Sequence, residues 1–469
     1  NIWVNISFDF IIKNMQSYKK GLVWIRRDYR LTDNTALINA VKQCDTIIIC
    51  FIYDKDILNK LKANDQRIPF IMNSIREIDN DLTKFNTSLI VKYGIPKEEI
   101  VKIVNKYEIN ALFYNRDYEP YAKKRDNEVK KELSIPIYTF KDSVIHEKSE
   151  IKTNNNGYYT VFTPYKNKWL NTKKSYNSDI KLNENNFFKF SENSSVHEDR
   201  WYDLLGFNSK KSYLKGGRKA GLKQLQDFTH LIHEYDQKRD FPSLNQTSKL
   251  SPYLRFGCIS IRECVQFANQ FSSVGAKIWL SEIIWRDFYQ MVCDTFPECD
   301  KKAIKPIYDT IKWEGKDNWY DAWTKGETGF PIIDAAMREL NNTGLMHNRC
   351  RMITASFLCK TLLIDWRQGE KYFAEKLLDF EFASNNGGWQ WSSSSGCDAQ
   401  PYFRIFNPYS QSEKFDSNGD YIRKYCPELA DLSNKEIHNP PTLDNYPKPI
   451  VNYKEMRERA LNMYSVVKK

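Results

Sequence analysis

The sequence lacks a hydrophobic run long enough to cross a membrane. A spanning helix needs roughly 18 consecutive apolar residues, and no such run occurs in the 469 residues. The mean hydropathy of −0.63 also argues against a membrane protein. Apolar residues still make up 41% of the chain, which is enough for sizeable cores. The length is typical of about two or three domains.

Closely spaced cysteine pairs are missing too. The ten cysteines include no CxxC pair, and several lie in core-like segments, such as Cys50, Cys264, Cys350 and Cys359. This usage is typical of reduced thiols inside a cell, and it disfavours a disulfide framework, a zinc site and secretion. We therefore expect no metal, and an intracellular, cytoplasmic protein, or a nuclear one if the host is a eukaryote.

The chain has fewer acidic than basic residues. The chain has 70 Lys and Arg against 59 Asp and Glu, which gives a formal net charge of +11. A positive excess suits a polyanionic partner such as nucleic acid, but a solvated, lysine-rich surface explains it equally well. Only clustering of the charge on one face would favour the first interpretation.

Short apolar runs separated by helical patterns predict an α/β domain near the N-terminus. The runs that read as buried strands are 21–25, 47–53, 88–92, 111–114 and 136–140, and the helical patterns include 69–85 and 118–133. Such alternation implies a parallel sheet. No GxGxxG follows the first strand, so its sequence gives little support to a dinucleotide site there.

The pattern divides the chain into four regions. Residues 1–18 form an extension in which we expect Met15 to be the functional start and residues 1–14 to be dispensable. Residues 19–150 form the α/β domain, and 151–196, rich in Asn, Lys and Ser, form a surface linker in which VFTPYKNKW (161–169) docks locally. Residues 197–469 have helical patterns throughout, which predicts an all-α domain.

Residues 323–408 do not resemble an ordinary core. They place Trp366, Trp389 and Trp391 among many polar residues, and Gly387-Gly388 interrupts a helical pattern directly before a tryptophan. Glycine allows close approach of the backbone to something flat or bulky. A buried network of such polarity has to be satisfied by partners or by a ligand. This stretch therefore predicts a large cofactor.

The same stretch carries a resemblance to a known family. TGFPIIDAAMREL (328–340), TGLMHNRCRM (343–352) and SNNGGWQWSSSSGCDAQPYFRIFNP (384–408) resemble the flavin-site signature of the class I branch of the photolyase/cryptochrome superfamily. The likeness continues through TSKLSPYLRFGCISIREC (247–264), WLSEIIWRDFY (279–289) and GLVWIRRDYRLTDNTAL (21–37). It implies a Rossmann-like, antenna-type α/β domain followed by a large all-α FAD-binding domain.

The resemblance implies a flavin site in the second domain. The TSxLS turn alone would be an ordinary helix N-cap, but together with Tyr235 and Arg239 it matches the site of the FAD phosphates. Arg351 and Asp379, otherwise an ordinary buried ion pair, match the pair that flanks the flavin ring. The implied cofactor residues are Tyr235, Arg239, Thr247, Ser248, Lys249, Leu250, Ser251, Trp279, Arg286, Asn348, Arg351, Asp379, Glu381 and Asn385.

Two positions bear on the state of that flavin. Asn385 matches the asparagine opposite the flavin N5, and because it has no acidic proton it suits a fully reduced, anionic flavin. Glu381 departs from the family, which usually has Asp there, so a hydrogen bond to the ring could be shifted. Trp389, Trp366 and Trp313 match the family's electron-transfer chain, although each could simply be a core residue.

The implied substrate is UV-damaged DNA. A flipped thymine dimer can stack on indoles, and Glu282 can stabilise the negative charge that develops on it. The implied catalytic residues are Glu282, Asn348 and Asn385, and those implied to bind DNA are Glu282, Trp285, Asn348, Arg349, Met352, Trp391 and Arg404. Lys414 and Arg286 are further candidates for phosphate contact, although any one of these cations could be an ordinary surface charge.

The resemblance also separates the types of lesion. Enzymes that repair (6-4) photoproducts carry histidines where this chain has Asn348 and Met352, so repair of cyclobutane dimers is the prediction. The implied mechanism is electron injection from photoexcited, reduced FAD, splitting of the ring and return of the electron. A cryptochrome-like photoreceptor and an inactive lesion-binding homologue are the alternatives. Asn385 and the absence of a long C-terminal tail disfavour the photoreceptor.

The antenna chromophore stays open. Folate-binding relatives carry Asn-Glu where YEPYAKKRD places Tyr121 and Ala122, so the carboxylate expected to hold a folate is missing. A deazaflavin or a flavin is favoured over folate, and the absence of any antenna is a further alternative. We expect the protein to be a monomer.

Overall fold

The computed structural model describes residues 18–177, 180–190, 200–208 and 211–467. The predicted start at Met15 and the end of the predicted linker, 191–196, lie outside these residues. The chain divides into two compact units. The first comprises the described residues as far as Ile145 together with 175–221 and 256–262, and the second comprises 146–174, 222–255 and the residues from Glu263 onward. The sequence suggested continuous domains, whereas these units interleave.

The first unit contains a five-stranded parallel sheet in the order β3-β2-β1-β4-β5. Its strands are β1 Tyr18–Ile25, β2 Cys44–Asp54, β3 Ile90–Gly94, β4 Ala111–Asn115 and β5 Ile137–Phe140. All five predicted strands are confirmed. The consecutive residues Leu22, Val23 and Trp24 of β1 are all buried, as expected for a parallel sheet covered on both faces.

The described residues contain twenty α-helices. In chain order they are α1 Thr35–Gln43, α2 Lys55–Leu58, α3 Arg67–Thr83, α4 Pro96–Tyr107, α5 Pro120–Glu132, α6 Phe162–Asn171, α7 Arg200–Leu205, α8 Arg218–Phe228, α9 Tyr235–Lys238, α10 Ser251–Arg255, α11 Ile261–Ala268, α12 Val274–Thr295, α13 Asp317–Lys325, α14 Pro331–Thr343, α15 Asn348–Lys360, α16 Trp366–Lys376, α17 Phe382–Ser392, α18 Pro408–Phe415, α19 Asp420–Tyr425 and α20 Tyr453–Met463. Beyond β5 the described chain has helices and loops without a further strand, which confirms the all-α prediction.

The predicted linker is more ordered than its composition suggests. Its patch VFTPYKNKW forms α6, and three aromatic side chains of this helix, Phe162, Tyr165 and Trp169, are buried. The Trp169 Nε1–H donates to the buried Asp287 carboxylate on α12 at 2.9 Å. Local docking of this patch is therefore confirmed, and α6 belongs to the helical unit.

A buried ionic network closes the carboxyl edge of the sheet in the first unit. Asp142 accepts from Arg30 at 2.6 Å, from Arg262 at 2.7 Å and from the Thr35 hydroxyl at 2.9 Å. Burial alone would raise the pKa of Asp142, but the two guanidinium groups outweigh it and lower that pKa to about 2. Arg30 and Asp142 follow the carboxyl ends of β1 and β5, the edge at which ligands usually bind in open α/β sheets.

The second unit is built around one large hydrophobic cluster. It contains Trp323, Trp366 and Trp389, all at most 2% exposed, together with apolar residues from α14, α15 and α20. All ten cysteines have free thiols. None of the described helices is both long and apolar enough to cross a membrane. In the described part of the chain, no three His, Cys, Asp or Glu side chains come together as metal ligands could.

We expect Asp142→Asn to destabilise the protein by about 3–5 kcal/mol, because it leaves the buried Arg30 guanidinium without its ion-pair partner, whereas Arg262 keeps Asp33. Urea-induced unfolding measures this loss. The pKa of Asp142 is lower in the folded chain than in the unfolded one. The stability that its carboxylate gives to the fold is therefore complete above pH 3.8 and is lost as the pH falls toward 2. The advantage of the wild type over the variant should therefore shrink over that interval.

Glu108→Gln is the matched control in the same unit, since it breaks the exposed Lys20–Glu108 pair at 3.1 Å. That change should have little effect. Equal losses in the two variants would contradict a special role for the Asp142 network.

Candidate active site

Two helices, α12 and α17, form the frame of the site. Gly387 of α17 lies against the ring of Tyr289 on α12, where an added Cβ would come within 2.2 Å of the ring. Glycine is therefore required for this approach. The sequence predicted that the backbone at Gly387-Gly388 comes close to something flat or bulky. At Gly387 this partner is the Tyr289 side chain of the protein itself. At Gly388 an added Cβ would meet nothing within 4 Å, so open space lies next to that residue.

One face of α17 carries the polar residues of the predicted flavin site. Glu381, Ser384, Asn385 and Gly388 recur at intervals of three and four, which places them on one side of the helix. The Glu381 carboxylate accepts from Arg286 of α12 at 2.7 Å and from the Ser384 hydroxyl at 2.9 Å. The longer side chain of Glu381 thus joins the two helices through a largely buried ion pair.

The amide of Asn385 is oriented by Glu370 of α16. Its Nδ2 donates to the backbone oxygen of Glu370 at 3.0 Å and to the Glu370 Oε1 at 2.9 Å. With the donor side engaged, the Oδ1 of Asn385 is left to act as an acceptor. Burial raises the pKa of Glu370 to about 7, the hydrogen bond from Asn385 opposes this, and Asp300 adds to it.

The predicted Arg351–Asp379 pair is formed, and two other predicted cofactor residues, Trp279 and Ser248, contact each other. Arg351 donates to both oxygens of Asp379, at 2.8 and 3.1 Å, and its Nε donates to the backbone oxygen of Met346. The Trp279 Nε1–H donates to the Ser248 hydroxyl at 3.3 Å, which connects the TSxLS turn to α12.

Two residues adjacent in sequence to predicted cofactor residues have buried oxygens without partners. Among the described residues, Asp236 Oδ1 and Gln246 Oε1 are buried without a hydrogen bond. Gln246 directly precedes Thr247, and Asp236 follows Tyr235. Native proteins rarely leave such atoms unsatisfied. The two oxygens are thus available to accept hydrogen bonds from a bound polar group, such as the hydroxyl groups of FAD.

A second charged cluster surrounds Glu282. Its Oε1 accepts from Arg239, and Asp240 lies 3.8 Å from Arg239 and 2.8 Å from Arg349. Burial raises the pKa of Glu282, while the charge of Arg239 opposes the increase. Asp240, which the sequence analysis missed, thus connects two of the predicted site residues.

The start of α15 presents Asn348 and Met352 together. The Asn348 Nδ2 lies 3.7 Å from the Met352 Sδ, one helical turn away. The neighbouring His347 is the N-cap of α15, and its Nδ1 accepts from the backbone N–H of Arg349 at 3.1 Å. Burial lowers the pKa of His347 to about 4, so this imidazole stays neutral at physiological pH.

The predicted tryptophan chain lies in a single hydrophobic region. Trp366 and Trp389 are each 2% exposed, and Trp313 is partly buried against the same cluster. The sequence analysis missed Trp323, whose ring lies 6.1 Å from that of Trp389. It also missed Tyr464, which lies 6.1 Å from Trp313.

The remaining predicted DNA-binding residues differ in exposure. Trp285 and Trp391 are half-buried, and Arg404 and Lys414 are exposed. The backbone oxygen of Arg404 accepts from the buried Lys360 Nζ at 3.2 Å, which fixes the loop beneath this side chain. Trp285 is stacked on Phe162, a contact for which the aromatic patch in the linker was the only signal in the sequence.

Glu370→Gln tests the environment of Asn385. The pKa of Glu370 rises from 4.5 to about 7 in the folded chain, so its stabilising contribution is present below 4.5 and lost as the pH rises through 7. Glutamine keeps an oxygen to accept from Asn385 but does not titrate. The free energy of unfolding of Glu370→Gln relative to wild type should therefore increase between pH 5 and pH 8. A difference independent of pH would contradict burial of this carboxyl.

Comparison with known proteins agrees with this fold. A family model of the FAD binding domain of DNA photolyase matches residues 279–466, and a DNA photolyase model matches residues 21–183. The deoxyribodipyrimidine photo-lyase of Vibrio cholerae is 37% identical over 477 residues, which cover 95% of this chain and 99% of that protein.

Solved structures show the same similarity. A class III photolyase from Agrobacterium tumefaciens is 32% identical with a TM-score of 0.86, over 96% of this chain and 98% of that one. A photolyase from Sulfolobus tokodaii with two FAD molecules is 33% identical with a TM-score of 0.84, over 96% of this chain and all of that one. The described fold and the matches over nearly the whole length show that this chain belongs to the DNA photolyase family.

Proposed function

We propose that this protein uses light to split cyclobutane pyrimidine dimers in DNA, as a class I photolyase. The observation that supports this most directly is the cluster on α12. Glu282 and Trp285 lie one turn apart on this helix, and Arg239 donates to Glu282, while Asn348 and Met352 lie together at the start of α15. The two carbon–carbon bonds that join the pyrimidines would break to restore two monomers, with no net oxidation or reduction.

FAD, held by the family's FAD-binding domain, supplies a light-excited electron donor when it is bound and reduced. The face of α17 would bind its ring, with the Asn385 Oδ1 as an acceptor and the Arg351–Asp379 pair at its side. Ser248 and its neighbours in the TSxLS turn would hold the phosphates. The buried oxygens of Asp236 and Gln246 would gain partners on binding.

Glu282 would act on the pyrimidine carbonyls. Its Oε1 is held by Arg239, so its Oε2 can carry a proton and donate it in a hydrogen bond. Burial raises the pKa of Glu282, so this carboxyl takes up a proton more readily than an exposed glutamate does, and the protonated form would stabilise negative charge on the dimer. Trp285 and Trp391 would offer indole faces for stacking, and Arg349 and Arg404 would contact phosphates.

The preference for cyclobutane dimers rests on what the start of α15 presents. Asn348 and Met352 offer an amide and a thioether, neither of which transfers protons near neutral pH. His347 is occupied as the N-cap, and its pKa of about 4 keeps it neutral. Chemistry that needs an imidazolium beside the lesion therefore has no donor on this turn.

We also propose a flavin or deazaflavin, rather than folate, as the second chromophore. Ala122 is buried on α5 and has no carboxylate, and the neighbouring Tyr121 hydroxyl donates to Asp54 at 2.8 Å. The S. tokodaii photolyase structure with two FAD molecules makes a second flavin a reasonable candidate. A monomer working inside the cell completes the proposal.

The test is light-dependent repair by the purified, chemically reduced protein. An oligonucleotide with one thymine dimer should be restored only in light, and one with a (6-4) photoproduct should remain unrepaired. Bound FAD without any repair would point to a photoreceptor or to an inactive lesion-binding homologue. Repair of the (6-4) product would overturn the lesion assignment.

Glu282→Ala is the variant that assigns the chemistry. Because Glu282 faces the substrate rather than holding the cofactor, the variant should keep FAD and lose repair yield. Loss of FAD instead would refute its role.

Trp313→Phe tests the tryptophan chain. Phenylalanine keeps an aromatic ring against the cluster but is far harder to oxidise than indole, so light-driven reduction of the oxidised flavin should stop. Repair by protein that was reduced beforehand should be unchanged. Absorption spectra during illumination measure the first effect, and the repair assay measures the second. Loss of both would show that Trp313 has another role.

A further inference from the structure

Trp285 does not stand alone on α12. Its indole is stacked on the ring of Phe162 from α6, with 3.7 Å between ring centroids and 6° between ring planes. Phe162 is 7% exposed, whereas Trp285 keeps a partly exposed surface. Phe162 therefore shields one face of the indole, and a base can reach only the part of Trp285 that is still exposed.

Helix α6 is held in place independently of this stack. Trp169, two turns after Phe162, donates to the buried Asp287, and the Tyr165 ring lies 5.2 Å from that of Phe288. Asp287 and Phe288 directly follow Trp285 and Arg286 on α12. The two helices thus meet along a continuous seam, with Phe162 at the end nearest Glu282 and Trp285.

The start of α6 is also fixed by the loop that follows α17 and carries Arg404. The backbone N–H of Asp398 donates to the Thr160 oxygen at 2.8 Å, and the Asp398 carboxylate accepts from the backbone N–H of Phe162. The same loop is tied to α15, since the Lys360 Nζ donates to the Ser394 hydroxyl at 2.9 Å. Phe162 therefore lies between Trp285 of α12 and the loop that follows α17.

We propose that Phe162 is a positioning residue for lesion recognition: it fixes the plane of Trp285 and the side from which a pyrimidine dimer can stack. The inference rests on the proposed function, because it assumes that Trp285 meets the dimer. It gives α6, which the sequence placed in a linker, a part in distinguishing damaged from undamaged DNA.

The reason is preorganisation. A half-exposed indole without a ring packed behind it can turn about its side-chain torsions. When a base stacks on it, the indole loses this conformational freedom, and the lost entropy weakens binding. With Phe162 in place the indole is already ordered. An aromatic pair of this kind is worth roughly 0.5–1.5 kcal/mol, which corresponds to roughly two- to twelvefold in affinity.

The experiment compares the affinity of FAD-loaded protein, in the dark, for an oligonucleotide with one thymine dimer and for the same oligonucleotide without damage. Phe162→Ala should weaken binding of the dimer by roughly three- to tenfold and leave binding of undamaged DNA unchanged. Phe162→Tyr should restore the affinity. At saturating DNA, repair per photon should stay near the wild-type value, since the reacting groups are intact.

A double-mutant cycle shows whether Phe162 acts through Trp285. Trp285→Ala should lose at least as much affinity for the dimer as Phe162→Ala, and the double variant should lose no more than Trp285→Ala alone. Trp169→Phe is the matched control. It removes the hydrogen bond to Asp287 and loosens α6 without touching the stack, so it should keep discrimination between the two oligonucleotides.

Three results would overturn the inference. The first is that the losses of affinity for the dimer add up in the double variant. The second is that Trp169→Phe and Phe162→Ala lose equal affinity. The third is that Phe162→Ala keeps its full preference for damaged DNA while Trp285→Ala loses this preference. Failure of the proposed function looks different. In that case the wild type itself would not prefer the dimer, and Trp285→Ala would bind both oligonucleotides as the wild type does.

Discussion

The close contact between α12 and α17 is the constraint on which the site depends. Gly387 lets the backbone of α17 lie against Tyr289, and the Arg286–Glu381 pair fixes the register of the two helices. Because the pair is largely buried, breaking one partner would leave an uncompensated charge, so the register is costly to change. This register sets the separation between the polar face of α17 and the row of side chains on α12. The residues predicted to hold the cofactor and those predicted to meet the substrate are thereby placed on one rigid frame.

The fold could be predicted well because its signals are local. The apolar runs of β1 and β2 are too short and too rich in branched residues for helices, and they formed the buried strands that their pattern predicts. The path of residues 146–262 could not be predicted, because interleaving of the two units depends on tertiary packing and leaves no periodic signal. VFTPYKNKW shows the limit: its aromatic residues predicted docking, but nothing in the chain indicated that Phe162 would meet Trp285.

The candidate site divides in the same way. Pairs that the family resemblance implies, such as Arg351 with Asp379, are brought together. The sequence analysis missed Glu370 and Asp240, which orient these residues, because nothing in the sequence distinguishes the two from ordinary surface carboxylates. Only the structure shows that Glu370 receives the amide of Asn385 and that Asp240 lies between two arginines. Sequence motifs predict the residues that contact a ligand. The residues that orient them are determined by tertiary packing and have no motif of their own.

Two opposing effects set the pKa of Glu282 within its charged cluster. Arg239 favours the ionised carboxylate, yet burial prevails and the pKa of Glu282 is raised. A base that stacks on Trp285 would remove more water from this corner and so strengthen the burial effect. Asp240 lies 3.8 Å from Arg239 and also disfavours a second negative charge nearby. Substrate binding would therefore shift Glu282 further toward the protonated form, the form that can donate a hydrogen bond to a pyrimidine carbonyl as negative charge develops there.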